Sequence, residues 1–189
     1  MRCVFISAVD AGLEQMLRDR LPLPEEVGDV KFEAPTGNWS AQLSRITVNL
    51  FLHDVHRSGM QPRSATVRSM EGAPQQRRRP QPMVQLGYLV SAWAGSPRDE
   101  HQLLGDVASI LAGTDTIPAR YFPRELSTSV HVMLGDDRSL PRELWTAAGG
   151  QLKASLTMQV TVGADSFDWE DQAPAVERIS AMANRMGDS

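Results

Sequence analysis

With 189 residues, one cysteine and a formal charge of −4, the chain is sized for one domain that hides about 70% of its unfolded surface without disulfide staples. Cys3 closes no internal disulfide, no apolar run reaches the roughly 18 to 20 residues of a bilayer span, and the start of the chain lacks a secretory apolar region, which together read as a cytosolic, soluble protein. The acidic balance argues against general affinity for nucleic acid, and the cations concentrate in one place, where Arg57, Arg63, Arg68, Arg77, Arg78 and Arg79 face only Glu71.

Residues 7–21 carry Val9, Leu13, Met16 and Leu17 at helical spacing between charged positions, and Pro22 and Pro24 stop that helix. Val30 to Glu33 alternates once, a short strand ending at Pro35. From Gln42 to Val55, Ile46, Val48, Leu50 and Leu52 point one way while Thr47, Asn49, Phe51 and His53 point the other, the signature of a half-buried strand. Residues 83–93 repeat the pattern with Val84, Leu86, Tyr88, Val90 and Ala92 on one face, so the two strands read as an antiparallel pair. The Arg/Pro-rich residues 57–82 form a long arm between them, where Pro62, Gly72, Pro74, Pro80 and Pro82 forbid a continuous ladder.

Ser96 caps the next helix, with Pro97 in its first turn and Asp99 and Glu100 at the positive dipole end. Leu103, Leu104, Val107, Ile110 and Leu111 make its buried stripe, and Gly113 closes it. Residues 127–134 alternate as a strand, and residues 139–148 read as a short helix with Leu140, Leu144 and Trp145 inward, ended by Gly149-Gly150. Residues 154–162 alternate cleanly, so the face bearing Ser155, Thr157, Gln159 and Thr161 is expected to be wet or paired with a partner. The expected domain spans 1–163, followed by an acidic tail over 164–189 with a helix bearing Val176, Ile179, Ala183 and Met186. This order gives an α+β fold, a mainly antiparallel sheet of about four to five strands with helices packed on one face.

No catalytic constellation accompanies these elements. Cys3 and Ser91 lack a nucleophile elbow, a histidine partner or a basic cluster, no phosphate-cradling glycine pattern occurs, and Asp136-Asp137 sits in a turn where Asp bonds its own backbone. His53 and His56 lie three apart on a strand, which sends them to opposite faces, so no metal is expected there; no cofactor is expected either. Phe51 and Trp93 stand on the minor faces of their strands, either as a second buried layer or as anchors for a neighbouring subunit. Trp39 and Trp169 fall in loop-like surroundings open to a partner contact, and His101 lies beside Asp99 and Glu100, suited to a solvated or interface hydrogen bond. Because lysine is confined to Lys31 and Lys153, cationic contacts fall to guanidinium groups, which suit carboxylate partners.

Three stretches taken in order, Val48-Asn49-Leu50-Phe51-Leu52-His53-Asp54-Val55, then residues 86–94 (LGYLVSAWA), then Asp99-Glu100-His101-Gln102-Leu103-Leu104-Gly105, resemble the cap, or tail-terminator, family of phage-tail-like contractile injection systems, of the antifeeding-prophage type. The resemblance implies a tail-terminator-like fold and a structural role, with no enzymatic activity. Caps of this kind form a sixfold ring on the last ring of the inner tube, stop further stacking and hold the last ring of sheath. The implied partners are copies of the chain itself in a homo-hexamer, the inner tube protein and the sheath protein, with no nucleic acid and no membrane insertion. The implied location is the bacterial cytoplasm, within an assembled contractile particle that is either retained or released. The candidate assembly interface is then Phe51, Trp93, His101, Arg77, Arg78 and Arg79, with the arm either reaching a neighbour's acidic surface or remaining a solvated loop. An exposed sheet edge is a further candidate for accepting a sheath strand. The alternatives are another particle component, a tube, hub or head-joining protein, and a small-ligand-binding domain.

Overall fold

The computed structural model describes residues 5–62, 64–69, 74–135 and 140–172; Cys3, Arg63, Glu71, Gly72, Asp136-Asp137, Ser139 and the expected tail helix lie outside them. In chain order the elements are α1 (Phe5–Arg20), β1 (Gly28–Lys31), β2 (Ile46–Arg57), β3 (Val67–Arg68), β4 (Gln76–Arg77), β5 (Met83–Trp93), α2 (Pro97–Ala112), β6 (Thr116–Ile117), β7 (Val130–Leu134), α3 (Pro141–Ala148), β8 (Ser155–Gly163) and β9 (Glu170–Asp171). Six strands make one sheet in the order β1-β2-β5-β8-β7-β6, and β3-β4-β9 make a second, small one.

The α+β class holds, but the main sheet is mixed and has six strands, not four to five antiparallel ones. β1 enters parallel to β2, with Val30 opposite Val48, because residues 32–45 carry the chain back to the starting end, the crossover that a parallel neighbour requires. β6 escapes a pattern-based reading because two residues have no period.

One face of the sheet, including Val48, Leu50, Leu86, Tyr88, Val90, Met158 and Val160, joins the stripes of α1 (Leu13, Met16, Leu17) and α2 (Leu103, Val107, Leu111) in one core. α1 and α2 therefore share a side. α1 also packs closely on Phe122, whose Cε1 lies 2.3 Å from where a β-carbon on Gly12 would stand. Ser96 caps α2 as expected, accepting from the Asp99 N–H at 3.3 Å, with Pro97 in the first turn. Gly113 ends α2 at φ −84°, without a left-handed turn, whereas Gly149 ends α3 in the left-handed region at φ 69°.

Helices do not all pack on one face. Trp145 of α3, 1% exposed, donates its indole N–H to Ser155 Oγ at 2.9 Å. Ser155 pairs with Ser91, on the side of β5 opposite Tyr88, so α3 covers the second face near the Trp93 end. Leu140, expected inward, is 51% exposed: it stands in extended backbone at the N-cap of α3, outside the helical period that places Trp145. The second face of β8 is not wet either. Thr157, Gln159 and Thr161 are buried, because β8 lies between β5 and β7 and Gln85 of β5 reaches across to donate to Gln159 Oε1.

β2 contains a bulge between Leu52 and Asp54 that reverses its alternation, so Asp54 pairs with Gly87 and His56 with Gln85. His53 lies over Gly87. Strand alternation thus does not separate His53 from His56, contrary to the sequence argument. His56 is engaged elsewhere, Nδ1 lying 2.8 Å from Asp54 Oδ2 and Nε2 3.1 Å from Gln85 Oε1. Among the described residues no three His, Cys, Asp or Glu side chains are placed to hold a metal ion, and no helix is long and apolar enough to cross a membrane.

Candidate assembly interface

The six expected interface residues fall into two separate regions. β2 and β5 pair along their length, from Thr47 opposite Trp93 to Arg57 opposite Val84. At the strand rise of about 3.3 Å per residue, the two ends of this hairpin stand on the order of 30 Å apart. The arm leaves at the Arg57 end. Trp93 and His101 lie at the other end, and Phe51 lies along the strand opposite Leu89.

At the far end, Trp93 is the middle of an aromatic cluster. Its ring stands 5.2 Å from that of Trp39 in a T-shaped contact and 6.0 Å from that of Trp145. Its indole N–H donates to Ser91 Oγ at 3.0 Å, and Lys153 Nζ sits 4.0 Å above the ring while pairing with Glu100 at 2.5 Å. Trp39, read from sequence as open to a partner, is 7% exposed and occupied within the chain, its indole N–H donating to Glu33. Trp93 and Phe51 are half-buried, and His101 is exposed in the second turn of α2.

At the near end, the described residues of the arm build strands. β3 pairs with β4, β4 pairs with β9 from the acidic tail, and Gln172 N–H donates to Gln75 O at 2.8 Å. On one side of this small sheet the guanidinium groups of Arg68 and Arg78 lie 4.5 and 4.2 Å from the centre of the Trp169 ring. The Arg68 Nε–H donates to Gln76 Oε1 at 2.8 Å, and Gln76 Nε2 donates to Asp171 Oδ1 at 2.7 Å, a polar line across all three strands. Arg79 lies 5.7 Å above the Phe167 ring. Arg77, exposed, pairs in register with Val67 and Glu170 on the other side. Arg78 is thus held within the chain, whereas Arg77 and Arg79 are exposed.

Sequence reasoning missed Arg68, Gln81, Phe167 and Trp169 as a unit. The signal was available: Phe167-Asp168-Trp169-Glu170 alternates aromatic and acidic residues with the period of a strand. Read by its acidity, the stretch passes for a tail in which Trp169 is open to a partner. Gln81, 1% exposed, holds this segment by its side-chain amide, donating to Phe167 O at 2.6 Å and accepting from Phe167 N–H at 3.0 Å. An open cavity of about 430 Å³ separates the Arg68 and Arg78 side from Arg124, Ser127 and Asp165.

Deeper in the body, Tyr88 O–H donates to Asp10 Oδ1 at 2.7 Å beneath α1. Burial pushes the Asp10 carboxyl above its ordinary range, and the Tyr88 hydrogen bond offsets only part of that; burial and the facing carboxylate push the Tyr88 hydroxyl up in turn.

A search of characterised proteins by sequence returns no match. Solved structures do match in fold. One is the cryo-EM structure of the PVC sheath/tube terminator, in the extended state of an extracellular contractile injection system, with TM-score 0.65 and 21% identity over 99% of this chain. Another is the tube-terminating cap of the anti-feeding prophage, with TM-score 0.64 and 19% identity over 93% of this chain. This chain spans 66% and 60% of those two chains. The profile of the Pvc16 N-terminal domain matches residues 8–178, a range that takes in the whole main sheet, the arm and β9, and so the chain belongs to the Pvc16 N-terminal domain family.

Proposed function

We propose that the chain is a structural cap of a contractile injection system, forming a ring that terminates the inner tube and anchors the last ring of sheath. The observation that carries this reading is the family match over residues 8–178, supported by a fold shared with a sheath/tube terminator and with a tube-terminating cap. A closed ring repeats one heterologous contact, so each subunit needs two complementary faces besides those that meet tube and sheath. Two separated regions, the arm with Arg77 and Arg79 and the far end with Phe51, Trp93 and His101, are suited to that demand. Sixfold closure belongs to this reading through the resemblance to caps of this kind, and electron micrographs of the particle ends count the subunits in the ring. The role is one of fit and adhesion, with no reaction assigned.

Deleting the chain from a complete particle-producing system tests this directly. Sheath and tube subunits are expected to remain, while particles of defined length with normal ends are lost, as scored by electron microscopy. Particles of normal length and end structure would overturn the cap reading.

A further inference from the structure

β4 offers an edge to an extended strand, and the chain's own residues 166–172 lie along it and on Gln81. The hydrogen bonds and ring contacts described for this segment all run to residues 68–81: the β4–β9 ladder, the Gln81 amide on both backbone groups of Phe167, and the arginines over Trp169 and Phe167. The recognition is legible in chemical terms. Gln81 and the β4 edge take the backbone of any extended strand, while the arginines select aromatic residues spaced two apart and flanked by carboxylates.

The connection to the body is short. Ala164 N–H is fixed on Pro82 O at 2.9 Å, and Asp165 then turns with φ 49°, a left-handed conformation in a residue other than glycine. Asp165 Oδ1 accepts the Ser127 N–H at 3.2 Å, which holds that turn to the body. A change in this one residue re-aims everything after it. None of the contacts made by the segment distinguishes its own arm from the arm of an identical copy, the condition under which strands exchange at little cost.

We infer that the segment 166–172 exchanges between neighbouring copies, so that in the assembled ring the tail of one subunit lies on the arm of the next. This rests on the ring reading, which supplies the adjacent copy, and on charge complementarity between an acidic aromatic strand and an arginine-rich receptor. In dilute solution the subunit's own tail wins, since a short tether supplies an effective concentration in the millimolar range that a free copy does not match. In a ring the neighbour's tail is tethered too, and that advantage disappears.

The test uses two full-length chains in a Cys3→Ser background, one with Gln76→Cys and one with Asp171→Cys, which are partners in register. Mixed and oxidised, they form a dimer bridged between positions 76 and 171, as mapped by mass spectrometry of the linked peptides, when the strand crosses between copies; bridges joining like positions mark collision alone. The expected yield of dimer is about tenfold higher on assembled particles than in the dilute mixture, given the effective-concentration argument. A chain carrying both substitutions closes within itself in dilute solution, which shows that the pair can be bridged; Arg77→Cys with Glu170→Cys is the second pair should the first not close. Electron microscopy scores the same particles for a cap. Caps present with the mixed chains still monomeric overturn the exchange and leave the cap reading standing. Chains absent from particle ends overturn the cap reading, and the exchange falls with it.

Discussion

Gly12 illustrates how a single missing side chain lets α1 settle onto the body. A methyl group there would stand 2.3 Å from Phe122 Cε1, so Gly12→Ala is expected to destabilise the fold by about 1–3 kcal/mol, although alanine is the better helix former. Urea unfolding of the variant measures this; a gain in stability would mean that Phe122 moves aside freely. Asp10 works in a different way. Its unfolded carboxyl releases a proton near 3.8, whereas the folded one holds the proton to higher pH. The stability this group contributes is therefore fully present below that value and is lost as pH rises through the raised folded value. Asp10→Asn keeps an acceptor for Tyr88 and removes the charge. Its unfolding free energy is expected to gain on the parent's as pH rises through that window, by less than about 1 kcal/mol because the carboxyl keeps some contact with water. A constant offset between the two proteins at every pH would show that Asp10 does not titrate differently on folding.

At the scale of elements, the small sheet separates two kinds of arginine. Arg68 and Arg78 hold the tail through Trp169, and a stacked cation at an exposed site is worth about 0.5–1 kcal/mol. Arg78→Ala or Trp169→Ala should thus leave the thermal midpoint nearly unmoved while cleavage within residues 58–82 becomes faster in limited proteolysis. Arg77→Ala with Arg79→Ala is expected to keep the arm resistant but to weaken association with particles, most at low salt, where exposed charge pairs are least screened. Equal capping by this double variant at every salt concentration would move recognition to the Phe51 and Trp93 end. α1, α2, β2, β5 and β8 were legible because nine or more residues give periodicity room to repeat, down to the Ser96 cap. β3, β4, β6 and β9 were not: two-residue ladders are set by what packs beside them. The parallel sense of β1 and the bulge at His53 also left no mark, since alternation carries no direction and a bulge leaves the residue types on either side unchanged.

For the whole molecule, the interface residues chosen from the sequence were recognisable as types, exposed cations and minor-face aromatics, but their division between opposite ends of a hairpin needed the third dimension. Trp39 and Trp169 looked available for the same reason. The groups that cover their rings, Trp93 for one and Arg68 with Arg78 for the other, stand more than fifty residues away in the chain. The main sheet carries one further consequence. Its two outermost strands are β1, with four residues, and β6, with two, while the longest strands, β2 and β5, lie inside. β1 covers only Ile46 to Asn49 of β2, however, so among the described residues no strand lies beside the outer backbone of β2 from Leu50 to Arg57, and that stretch is the border open to another strand. Because β2 ends at Arg57, where the arm begins, a partner's strand laid on that border would run up to the arm, and one contact would engage both.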